Sequence, residues 1–160
     1  MAEQPFGAFP HQHRDPRGLR ERIDAQLRDR IEEAVEHASL AVVAEQRRRA
    51  GRPAPEPSSA ADRREWEAVT LGLLGHLRAA FDATLDPAER ARLVEAEAPH
   101  AAGRDRLLAA QVFLARLLPD YWQRLETHQA AFEPGEAASG RGPGWLRRLF
   151  GGAGGRAPSS

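Results

Sequence analysis

The chain contains no cysteine and no lysine. The first absence removes disulfides, thiolate metal sites and a cysteine nucleophile together. The second leaves 23 arginines as all the basic residues, beside 30 alanines. That is the bacterial-like composition of a GC-rich coding sequence, so arginine clusters are weak signs of guanidinium chemistry here. Acidic and basic residues balance to a net charge of zero, which denies the chain any overall field toward nucleic acid or an anionic surface. Leu, Ile, Val and Phe supply only 31 of 160 residues, so one thin core is expected and part of the chain is expected to lie outside it.

Long apolar runs are missing as well. Runs free of charge, such as 38–44 and 71–77, fall far short of the roughly 20 residues that span a bilayer. The start, MAEQPFGAFPHQHRDP, lacks the basic and apolar regions of a secretory signal, and a cytoplasmic protein is expected. No GxSxG, Walker A, GxGxxG or HExxH pattern occurs, and with no such motif the expectation is a protein that is not an enzyme, with no cofactor and no metal.

What remains is helical. Val, Ile and Thr are few, no segment alternates with a period of two, and Ala, Leu, Arg and Glu dominate. The predicted fold is all-α: a small helical bundle with one long N-terminal helix and disordered N- and C-terminal tails. Residues 1–14 read as a disordered arm. Asp15-Pro16 suits a helix start, and Leu19, Ile23, Leu27, Ile31, Val35, Ala38 and Val42 keep one face together through a long amphipathic helix over 15–50. Asp24, Arg28 and Glu32 are spaced for ion pairs along that helix. Gly51, Pro53 and Pro55 end it, and 51–61 has the composition of a linker. A bundle core is predicted over 62–132, which leaves the long helix free to pair elsewhere. At its start Ser59 and Asp62 resemble a capping box, within it Asp86-Pro87-Ala88-Glu89 is a clear one, and Pro119 breaks a helix that begins near Leu107. Residues 133–160 read as a Gly-rich flexible tail.

Few groups converge on chemistry. Glu33 and His37 have the i,i+4 spacing of two metal ligands, but a helical-bundle metal site needs Glu-x-x-His steps on two helices, and the one such step, Glu97 to His100, is interrupted by Pro99. His76 beside Leu77 reads as a helix-edge histidine bonded to a neighbour. Gly72 and Gly75 form a small-residue strip where another helix could pack closely. Arg47, Arg48, Arg49 and Arg52 suit a helix C-terminus, and nucleic acid is disfavoured as a partner because no aromatics interleave with them. Trp66 reads as core. Tyr121 and Trp122 are adjacent, so a helix cannot aim both at one centre, and Trp122 is taken as a rim residue for a partner.

The strongest feature is Trp145-Leu146-Arg147-Arg148-Leu149-Phe150, an apolar island between glycine-rich stretches. As one helical turn and a half it pairs Trp145 with Leu149 and Leu146 with Phe150, yet six residues do not hold a helix alone. It is expected to dock on a protein partner, with weak membrane-surface contact and packing on the protein's own core as the alternatives. The expected function is a non-catalytic helical adaptor or assembly protein, with self-association through helix 15–50 open. The alternatives are a small helical-bundle enzyme or metal-binding protein, and a peripheral protein anchored through the same C-terminal segment.

Overall fold

The computed structural model describes residues 16–134. Within them the chain is all-α, with five helices in the order α1 (Pro16–Arg49), α2 (Ala60–Asp82), α3 (Pro87–Glu97), α4 (Arg104–Leu117) and α5 (Tyr121–Ala130). The arm 1–14 and the segment 145–150 lie outside the described residues, as does the tail from 135 onward.

Local chemistry sets most boundaries. Gly51 adopts φ 66° after α1, a conformation that costs a residue with a Cβ, and Arg52 N then donates to the Arg47 carbonyl at 2.8 Å to close the helix. Ser59 caps α2 by accepting from Asp62 N at 3.4 Å. The return half of the expected capping box is absent, because the Asp62 carboxylate instead accepts from Glu56 N and from Arg47. At α3 the box is complete: Glu89 N donates to Asp86 Oδ1 at 2.8 Å, and Asp86 N donates to Glu89 Oε2 at 3.0 Å. Helix α4 starts at Arg104, a turn earlier than Leu107, since its first turn is polar and invisible to apolar spacing. It stops at Leu118, held extended before Pro119.

The core is wider than the predicted 62–132. Ile31 and Val35 of α1 join Leu73, Leu77, Phe81, Leu108, Leu114 and Tyr121 in one buried cluster, so the middle of the long helix is a layer of the bundle rather than an arm free to pair elsewhere. Its buried residues run Ile31, Val35, Ser39, Val43, Arg47, in steps of four. With 3.6 residues per turn such a ridge drifts about 40° per step, which carries α1 from contact with α4 at its middle to contact with α2 at its end. The apolar step of three through Ala38 to Val42 misses this drift, and Val43 takes the buried place.

The charges along α1 follow the same geometry. Asp24, Arg28 and Glu32 do not pair with one another as their spacing suggests. Arg28 Nη2 reaches Asp105 at 2.6 Å, Arg104 holds Glu32 and Glu36, and Arg116 Nε lies 3.4 Å from Asp24, so the charges stitch α1 to α4. A partner on a packed neighbour wins over an exposed pair on one helix, which is worth only about 0.3–0.5 kcal/mol. No helix among the described residues is long and apolar enough to cross a membrane.

Candidate partner-binding surfaces

The apolar stripe of α1 outruns the bundle. Leu27 packs against the core at its edge, while Leu19 and Ile23, two turns and one turn earlier, are 42% and 44% exposed. Spacing of four and seven residues keeps Leu19, Ile23, Gln26 and Arg30 on one side of the helix. Arg30 closes that side against the bundle, its guanidinium 3.9 Å from the centroid of the Trp122 ring. The predicted rim residue therefore stands at the inner end of the exposed face. Trp122 is half-buried, with Tyr121 edge-on to it at 5.2 Å, and Tyr121 itself is buried and donates its hydroxyl to Gln111 Oε1 at 2.8 Å. Of the candidate docking residues, Trp122 is the one that the described structure places. Trp145, Leu146, Arg147, Arg148, Leu149 and Phe150 lie outside it.

A second surface forms at Trp66. Its indole Nε1 donates to the Glu36 carbonyl at 3.1 Å, which pins the ring across the α1–α2 seam rather than in the core. Beside it opens a groove of about 340 Å³ lined by Asp29, Glu32, Glu33, Glu36, His37, Leu40 and Trp66. Glu32 and Glu36 are committed to Arg104, whereas Asp29 and Glu33 face outward without an ion pair among the described residues. Sequence reasoning had Glu33 and His37 as neighbours on a solvated face. It missed Trp66, because the bond from its indole ends on a backbone carbonyl that no side-chain pattern encodes.

The remaining candidates resolve into structure. Arg47 is buried at 4% exposure and bridges Asp62 and Glu65 on α2, which hold its guanidinium protonated well above its ordinary value. Arg48 and Arg49 fork onto Glu45, and the Arg48 bond leads in holding that carboxyl at about 2. Arg52 reaches Glu65 at 3.5 Å. The four arginines are thus occupied by carboxylates, and do not present a bare basic patch.

His76 Nε2 donates to the His128 carbonyl at 3.0 Å and its ring lies 5.4 Å from that of Phe132. Burial, then the charges of His76 and Arg124, push the His128 imidazole below its ordinary value. A Cβ placed on Gly75 meets no atom within 4 Å, so no helix of the described structure packs closely there. Among the described residues no three histidines or carboxylates come together to hold a metal. Compared with protein-family models, with curated proteins and with solved structures, the chain matches none of them.

Proposed function

We propose that the protein is a non-catalytic helical adaptor or assembly protein that binds a partner protein through the outer face of α1 and through the peptide 145–150. The observation that supports it most is the stripe itself: Leu19 and Ile23 continue the line that Ile31 and Val35 bury, and nothing within the described bundle covers them. A helix laid along α1 would extend an existing packing surface, and the Trp122 and Arg30 pair at its inner end supplies the residue types that dominate binding hot spots.

The test uses three baits: the full chain, a chain stopped before Gly140, and the full chain with Leu19→Glu and Ile23→Glu. A protein retained by the first and lost from both others supports the reading, and equal recovery by all three overturns it. Trp145→Ala with Phe150→Ala should abolish recruitment while leaving the helix content by circular dichroism unchanged.

Arg20 and Arg22 border the same face and favour a second reading, contact with an anionic lipid surface. Replacing Arg147 and Arg148 by Gln separates the two. Lipid binding loses about 1 kcal/mol per charge, whereas a protein groove keeps the apolar anchors.

A further inference from the structure

The groove beside Trp66 suits a small apolar ligand that carries positive charge. Its floor is apolar, built from Leu40 and an indole held in place by the Glu36 carbonyl, and its outer wall carries the unpaired carboxylates of Asp29 and Glu33. At about 340 Å³ it lies at the small end of ligand sites, which run to about 300–1,000 Å³. That suits one or two anchoring side chains flanked by cations.

The sequence holds such a segment once, with Arg147 and Arg148 between Trp145-Leu146 and Leu149-Phe150. Distance permits the match. The described chain leaves the bundle just after Phe132, whose ring packs on His76, and His76 lies ten residues from Trp66 on α2, a rise of about 15 Å. Residues 135–144 can reach about 33 Å when extended. A tether of about ten residues supplies an effective concentration in the millimolar range, enough to fill a weak site.

We infer that the Asp29, Glu33, Leu40 and Trp66 groove seats residues 145–150 of its own chain, with the aromatic anchors on Trp66 and Leu40 and the two arginines on Asp29 and Glu33. This rests on the reading of 145–150 as a docking peptide, and adds that the peptide is stored on the bundle until a partner competes for it.

The absence of cysteine allows a direct test. Nitroxide labels on Ala41→Cys and Gly151→Cys in the full chain should report a short, narrow distance between them by pulsed electron resonance. Asp29→Arg with Glu33→Arg should abolish that population, as should Arg147→Glu with Arg148→Glu, and combining all four should restore it. A single broad distribution in the parent chain overturns the inference, as does a short distance that vanishes when labelled protein is diluted into unlabelled protein, which marks a second copy as the occupant. Failure to restore in the fourfold variant, with its helix content intact by circular dichroism, overturns the charge pairing. Recruitment by the three baits is read separately, so a failed adaptor reading leaves the distances standing, and the reverse.

Discussion

Arg47 Nη2 stands 2.7 Å from Asp62 Oδ1 across the α1–α2 seam, while Arg48 and Arg49, its neighbours in sequence, pair with Glu45 on their own helix. The three look alike in the sequence and differ in burial, at 4% for the Arg47 side chain against 73% and 76%. Replacing Arg47 by Ala strands the Asp62 and Glu65 carboxylates at a packed seam, so thermal melts should show a clear drop for Arg47→Ala and almost none for Arg48→Ala or Arg49→Ala. Arg47→Lys should recover little, because a point charge cannot fork onto two carboxylates.

The same carboxylates set a pH limit. Arg47 holds Asp62 and Glu65 below their ordinary values of 3.8 and 4.5, and Arg28 does so for Asp105. A group whose value is lowered by folding stabilises the native state above its unfolded value, and that stability is lost as pH falls through the folded one. The unfolded chain takes up the protons first. The melting temperature should therefore fall between about pH 5 and pH 3, and fall less steeply in Arg47→Ala.

Position along α1 decides what its apolar residues are worth. Ile31→Ala should cost about 2–5 kcal/mol by urea denaturation. Leu19→Ala and Ile23→Ala should stay within about 0.5 kcal/mol of the parent, as exposed sites do. A large loss at Ile23 would mean that the outer face is covered in the free protein.

Tyr121 and Gln111 make one buried polar pair, in which Gln111 Nε2 has no partner of its own. Tyr121→Phe leaves Gln111 Oε1 without its donor and should cost about 1–3 kcal/mol. Adding Gln111→Leu removes the stranded amide, and the double variant should be more stable than Tyr121→Phe alone.

Legibility in the sequence followed the range of the interaction. Asp86, Pro87 and Glu89 were readable because a capping box closes within four residues, and the helix ends at Gly51 and Pro119 are equally local. The stripe from Leu19 was readable as a face. Its exposure was not, because periodicity says which side of a helix is apolar and not where the neighbouring helix stops. Asp24, Arg28 and Arg47 were misplaced for a related reason: their partners depend on how helices cross, and a drift of about 40° per four residues moves a side chain from one neighbour to the next. The Trp66 groove is built from two helices some thirty residues apart in sequence and a backbone carbonyl, and leaves no trace in any single segment.

The two seams of α1 also differ in the length of chain that they close. Arg47 joins α2 across separations of 15 and 18 residues, whereas Arg28 and Arg104 join α1 to α4 across 77, 72 and 68. Each doubling of a loop adds about 0.6 kcal/mol of closure entropy, so the second seam carries roughly 1 kcal/mol more. The order of assembly that follows is a hairpin of α1 on α2 first, with α4 arriving last. Closure entropy therefore predicts that the α1–α2 seam protects its amides before the α1–α4 seam does in pulsed hydrogen exchange during refolding.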